Sequence, residues 1–182
     1  MHAVRLITAR LTIAACPLDI ARSLIKDRRG LKEIFGARLP PDWPSPELAE
    51  VLPLYVQELL HDPTTLGWGI WIALNTEQNV VVGDAGFKGH PDKDGTVEIG
   101  YGVAPVHQGR GYATEAVQAL IVWAFAHTKV RRIVAECAPE NTASIRVLTK
   151  LGFRTLPRGT DALRWELPRT TEFNAHPRSQ RR

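Results

Sequence analysis

Apolar positions along this chain recur now every second residue and now every third or fourth, and the switches between the two periods mark out its elements. Residues 4–14 carry Val4, Leu6, Leu11 and Ile13 among polar neighbours and predict an opening strand. Pro17 and Asp19 suit a helix start, so a helix is expected over 18–26, and Gly30 parts it from a shorter one over 31–35. The segment RLPPDWPSP reads as a proline-braced loop that holds Trp43. Ser45 and Pro46 then make an N-cap and first-turn pair. Leu48, Val51, Leu52, Tyr55 and Leu59 follow at helical spacing until His61, Asp62 and Pro63 stop the run.

Strand periodicity returns over 68–74, 80–88 and 96–103, with turns at 75–79 and 92–95. The last of these strands feeds the stretch YGVAPVHQGRGYATEAVQALIVWAFA, residues 101–126, which reads as a strand end, a glycine-broken turn and an amphipathic helix. A buried strand follows over 132–137, then a helix over 141–151 closed by Gly152. Residues 153–156 and 162–167 read as a closing pair of strands around Arg158, Gly159, Thr160 and Asp161. Mixed strands and helices without a dividing linker put the chain in the α/β (α+β) class, as one domain over 1–168. Residues 169–182 lack apolar periodicity and are expected to form a mobile, polar, basic tail.

At 182 residues the chain is long enough for one domain with a full core. No apolar run reaches bilayer length, and Arg5 and Arg10 inside an alternating N-terminus argue against a signal peptide. Cys16 and Cys137 lack metal-ligand spacing, so a reducing cytoplasm and no metal are expected. Most of the net charge of +4 sits in residues 169–182. The body is therefore nearly neutral, which argues against specific nucleic acid as a partner, and with no bilayer-length apolar run no membrane partner is expected either.

Candidate chemistry concentrates at Gln108, Gly109, Arg110, Gly111, Tyr112 and Ala113, which fill a Q-x-x-G-x-A pattern between strand and helix. Gly109 and Gly111 allow positive φ and leave no Cβ in the way of a ligand. Free N–H groups at a helix start, with the helix dipole behind them, make a site for phosphate oxygens. A dinucleotide fingerprint would need a third glycine where Thr114 stands, and the Gly-Lys-Ser/Thr of nucleotide hydrolases is absent. A second constellation, ECAPENTASIRVLTKLGFR, puts Asn141 at a helix start, Ser144 one turn on, and Gly152 at the stop.

Together, VEIGYGVAPVHQGRGYATEA and PENTASIRVLTKLGF resemble the GNAT superfamily of acetyl-CoA-dependent N-acetyltransferases. More narrowly, the chain resembles the branch related to the ribosomal-protein N-terminal acetyltransferases RimJ and RimL. The resemblance covers residues 80–153 and implies a mixed, mostly antiparallel sheet with helices on both faces, split in a V between the strands ending at Val103 and Cys137. It implies that the pantetheine arm of acetyl-CoA pairs with backbone around Tyr101, Gly102 and Val103. The diphosphate would take the N–H groups of Gln108, Gly109, Arg110, Gly111, Tyr112 and Ala113, with Thr114 nearby. Asn141 and Ser144 would face the arm from the other side.

Direct attack by an amine on a thioester needs a neutral amine, a donor for the oxyanion and a proton for the thiolate. A backbone N–H near residues 101–103, freed by a bulge at Gly100 or Gly102, suits the second need. Glu98 is the candidate base, since alternation puts it on one face with Gly100 and Gly102, though a paired structural carboxylate is the competing reading. Many members of the superfamily carry Tyr where this chain has Leu148, so the resemblance passes the acid role to Ser144, whose competing use is helix capping. His107 reads as loop bracing, Glu136 as an outward carboxylate, and Trp43 as a possible wall of an acceptor pocket. The expected acceptor is a protein or peptide α-amine. A small-molecule amine such as an antibiotic or polyamine, or an idle acyl-CoA-sensing module, are the rivals. Monomer and homodimer both remain open.

Overall fold

The computed structural model describes residues 4–26, 36–157 and 162–170. The opening segment is two strands, β1 (Arg5–Ile7) and β2 (Leu11–Ala15), paired antiparallel, where the pattern predicts one. Thr8 makes the turn: its N–H donates to the Leu11 carbonyl at 2.9 Å, and its hydroxyl accepts the Leu11 N–H at 3.0 Å. The break shows in the sequence as a change of phase, because Val4 and Leu6 are even-numbered whereas Leu11 and Ile13 are odd.

Helix α1 (Leu18–Lys26) follows, and the helix expected over 31–35 lies outside the described residues. Helix α2 (Pro46–His61) starts as its sequence predicts, with the Ser45 hydroxyl accepting the Leu48 N–H at 3.2 Å. Then come β3 (Ile70–Asn75), β4 (Val80–Phe87), β5 (Thr96–Val103), helix α3 (Tyr112–Ala126), β6 (Arg132–Cys137), helix α4 (Thr142–Lys150), β7 (Arg154–Thr155) and β8 (Leu163–Pro168). The turns at 75–79 and 92–95 close on side chains: Asn75 accepts from the Gln78 N–H, and Asp92 from the N–H groups of Asp94 and Thr96.

Among the described residues, eight strands form one sheet in the order β1-β2-β3-β4-β5-β6-β8-β7. Every pairing is antiparallel except β5 with β6. Helix α3 lays Val117, Leu120, Ile121, Ala124 and Phe125 on one face, over Trp71, Val82, Ala85, Phe87, Val97, Ile99 and Ile133. Helices α1 and α2 cover the other face with Ile20, Leu24, Leu52, Tyr55 and Leu59 against Ile70, Ile72 and Val81. Each large side chain buried in these two layers contributes roughly 1.5–3 kcal/mol. Trp43 is 1% exposed and belongs to the α1–α2 layer, so its ring is core and not the exposed wall of a pocket.

Two irregularities shape the sheet around β5. The β5–β6 pairing covers only Thr96–Glu98 against Arg132–Val134, after which the strands part and leave a V-shaped gap. Between β3 and β4, Ala73 pairs with Gly83 but Leu74 with Val81, so Val82 is an extra, bulged residue. At the C-terminal end, Arg169 is tied to the body, donating to the carbonyls of His127 at 2.6 Å and Val130 at 2.8 Å beyond the end of α3. The charge pattern puts that arginine in a mobile tail; a cation favourably placed near helix-end carbonyls is the reason it is held. Residues 171–182 lie outside the described residues.

Candidate functional site

The gap is a half-finished ladder. Lys88 donates to the Glu98 carbonyl and Ala104 to the Val82 carbonyl, so the even-numbered residues of β5 face their hydrogen bonds towards β4. The odd ones, Ile99, Tyr101 and Val103, turn theirs towards β6, which has diverged by then. Gln108 fills one of these places, its side-chain amide donating to the Val103 carbonyl at 3.0 Å. Among the described residues nothing pairs with the Tyr101 N–H and C=O or the Val103 N–H, which lie open to an added chain. No bulge at Gly100 or Gly102 frees them, since the β4–β5 register runs unbroken through both. The parting of the strands does so instead.

Immediately beyond lies the glycine turn. Gly109 and Gly111 adopt φ of 73° and 79°, left-handed values that a side chain would strain. Among the described residues none accepts a hydrogen bond from the N–H groups of residues 109–114, and α3 has no side-chain cap. Gln108 does not join them, because its N–H already donates to the Pro105 carbonyl at 3.3 Å. The uncommitted N–H groups among the described residues are those of 109–114, at the positive end of the α3 dipole. A groove between α3 and α4, lined by Thr114, Gln118, Ile121, Val122, Lys150 and Leu151, begins at the same helix start.

The turn is braced from a distance. Arg10, at the β1–β2 turn, donates to the Arg110 carbonyl at 2.9 Å, grips Glu115 at 2.7 Å and lies 4.7 Å from the centre of the Tyr112 ring. Thr8 adds a hydroxyl bond to Glu115 at 2.6 Å. Burial works against ionising Glu115, but the bonds from Thr8 and Arg10 outweigh it and hold the carboxyl below its usual range. Its contribution to stability is thus present above the unfolded value of about 4.3 and is lost as pH falls through the lower folded value. Arg10→Ala should destabilise the fold by about 1 kcal/mol, roughly 2–4 °C in Tm for a chain of this size, at neutral pH. The loss should shrink as the pH is lowered below about 4. Melting curves showing the same loss at both pH values would contradict the ion-pair account.

On the far side of the gap, Asn141 caps α4 by accepting the Ser144 N–H at 3.0 Å. Tyr101 reaches across to the same residue, its hydroxyl 3.3 Å from the Ser144 carbonyl. Burial raises the Tyr101 phenol above its ordinary value, with a smaller lowering from Ser144. Leu148 is 1% exposed in the α3 layer and cannot approach the gap with a proton donor of any kind.

The face of β5 opposite α3 carries Glu98, Gly100 and Gly102, as alternation predicts, and Glu98 is ion-paired with Lys88. Asp84 on β4, which the sequence pattern does not single out, stands across from Gly102 and accepts the Trp43 indole N–H at 2.7 Å. Glu136 pairs with Arg164 at the surface. His107 packs edge-on near Tyr112, and burial, then Arg110, lowers its pKa. Among the described residues no three His, Cys, Asp or Glu side chains cluster as metal ligands would, and no helix is long and apolar enough to cross a membrane.

Known proteins share this architecture. Residues 19–154 match the family described as "Acetyltransferase (GNAT) domain". The chain is 32% identical over 163 residues to the uncharacterized N-acetyltransferase YjdG of Bacillus subtilis (strain 168), a match spanning 89% of this chain and 96% of that one. It superposes on the ribosomal-protein-S5-alanine acetyltransferase of Vibrio fischeri with a TM-score of 0.63 at 17% identity, over 91% of this chain and 96% of that one. A chimera of spermidine N-acetyltransferase SpeG from Vibrio cholerae and hSSAT gives 0.63 at 18% identity, over 92% and 100%. At those identities the two structures speak for the fold alone.

Proposed function

The chain belongs to the family of GNAT acetyltransferase domains and is an N-acetyltransferase; from that membership we propose that it moves the acetyl group of acetyl-CoA directly onto the α-amine of a protein or peptide, as its likeness to the RimJ and RimL branch suggests. The observation that carries the reading is the row of uncommitted N–H groups over 109–114, set at a helix start beside the open backbone of Tyr101 and Val103. A diphosphate needs such donors, and a pantetheine arm, with its amides, needs such a strand edge. Asn141 and Ser144 border the gap from α4.

In this reading an N–H of Tyr101 or Val103 stabilises the oxyanion, and the hydroxyls of Ser144 and Tyr101 supply the proton that the departing thiolate takes. A thiol with a pKa near 8.5 leaves with modest help, so the buried Leu148 is no obstacle. On the acceptor side Glu98 and Asp84 share a face. An α-amine, with a pKa of about 7.7–8, is partly neutral at physiological pH and asks only a modest base of them. The test is release of free CoA from acetyl-CoA, read with a thiol reagent, on trialanine, spermidine and an aminoglycoside. Faster release on trialanine supports the proposal. Release on spermidine or the aminoglycoside alone would make this a small-amine enzyme, and tight acetyl-CoA binding without release on any amine would make it a sensor.

A further inference from the structure

Strict alternation would put Asp84 in the α3 layer. Val80 and Val82 face the α3 layer, and two residues on, Asp84 would follow them there. The bulge at Val82 resets the phase, so that beyond it Ala85 and Phe87 enter that layer while Asp84 turns to the α1–α2 face. Re-aiming a side chain is a known use of such a bulge. On that face Asp84 meets the Trp43 indole and, across the ladder, Gly102. A Cβ on Gly102 would lie 3.6 Å and 3.7 Å from the two carboxylate oxygens, and one on Gly100 would have nothing within 4 Å. The carboxylate therefore borders a side-chain-free patch of β5. Gly102 sits between Tyr101 and Val103, whose N–H groups open on the gap.

We propose that Asp84 binds the ammonium group of the acceptor over Gly102 and takes its proton, delivering a neutral amine to the thioester. The inference rests on the transfer reading above. One N–H bond of the ammonium breaks and its proton passes to an Asp84 oxygen. The freed lone pair forms the C–N bond, the C–S bond breaks, and sulfur departs with that electron pair. The thiolate takes a proton from the Ser144 or Tyr101 hydroxyl, a second proton from nitrogen restores that hydroxyl, and Asp84 returns its own to solvent. The electrostatics agree with the role. Burial lifts the Asp84 carboxyl to about 6, the Trp43 bond opposes the rise, and Glu47 at the start of α2 adds to it. Ile72 from β3 and Gly102 from β5 bring no charge to the group, and Glu98, further along β5, is engaged by Lys88. A carboxylate in that range is ionised at neutral pH yet more basic than an ordinary one, which suits proton transfer from an amine.

The Trp43 indole N–H is a built-in reporter, since it donates to Asp84. In nitrogen-15 spectra of the full chain with CoA, the Trp43 signal, assigned by its loss in Trp43→Phe, should titrate near pH 6. It should also shift with trialanine but not with N-acetyl-trialanine. Asp84→Asn should abolish both responses. In turnover on the amine acetylated fastest, Asp84→Asn should lower kcat/KM roughly 100-fold and erase the acid limb of its pH profile, with acetyl-CoA affinity unchanged. Trp43→Phe removes a bond that depresses the carboxyl, so it should move that limb to higher pH. A merely structural Asp84 would leave the limb where it is. An unaltered rate in Asp84→Asn, or an indole indifferent to pH and to trialanine, would overturn the proposal. No CoA release by the wild type with the indole response intact would sink the transfer reading while supporting amine binding at Asp84.

Discussion

Replacing Gly109 with Glu is expected to weaken acetyl-CoA binding by roughly 100-fold or more, equivalent to about 2.7 kcal/mol, in a protein that still folds. Two effects add. The residue has φ of 73°, where a side chain costs about 1–2 kcal/mol, so the turn is driven to rearrange. The new carboxylate also has room, because a Cβ at Gly109 meets nothing within 4 Å, and it sits beside the uncommitted N–H groups of 109–114. It would then take the donors meant for a phosphate and repel the ligand's own charge. The same open surroundings mean that no core contact is disturbed, so the melting temperature should fall by only a few degrees. Calorimetry with acetyl-CoA checks the first expectation and circular dichroism the second. Unchanged affinity would remove the turn from the binding site.

Gly83→Ala should have the opposite profile, a loss of fold and not of one ligand. A Cβ at Gly83 would come within 2.1 Å of the Gly102 carbonyl oxygen and 2.9 Å of the Val103 Cα. Both are backbone atoms of β5, which have no rotamer to retreat into, so β4 and β5 must separate or the bulge must close. Either change dismantles the strand edge at 101–103 and the aim of Asp84 together. The expected cost is about 3 kcal/mol or more, roughly 6–12 °C in Tm. A denaturant titration showing stability within 0.5 kcal/mol of the parent, about the size of an ordinary surface change, would mean that the close approach is not there.

What was legible in the chain, and what was not, divides by physical origin. Features made by local chemistry were readable: the Ser45 cap, the turns on Asn75 and Asp92, and the positive φ of Gly109, Gly111 and Gly152. Each is a residue type satisfying its own neighbours. Features made by pairing between distant segments were not readable from the residues themselves, and the split between β5 and β6 came through the family resemblance alone. The brace from Arg10 joins residues 105 apart to Glu115, and no pattern along the chain announces it. The free N–H groups come from β6 leaving β5 and not from a bulge, a matter of where a parallel pairing stops. The bulge lies at Val82 instead, between apolar neighbours that suit either face, so the phase change that turns Asp84 to the α1–α2 face leaves no mark on hydropathy. The opening hairpin is the exception, because the change of phase between Leu6 and Leu11 marks its turn in the sequence.

The claim on which the rest depends is that the coenzyme enters along β5 and ends at the start of α3, and a crystal structure of the protein with acetyl-CoA tests it most directly. The account predicts diphosphate oxygens within hydrogen-bond distance of N–H groups among residues 109–114. It also predicts pantetheine amides paired with the backbone of Tyr101 and Val103, and the thioester carbonyl within reach of Gly102 and Asp84. A coenzyme bound with its diphosphate away from the Gly109–Gly111 turn, or with the gap between β5 and β6 empty, would contradict it.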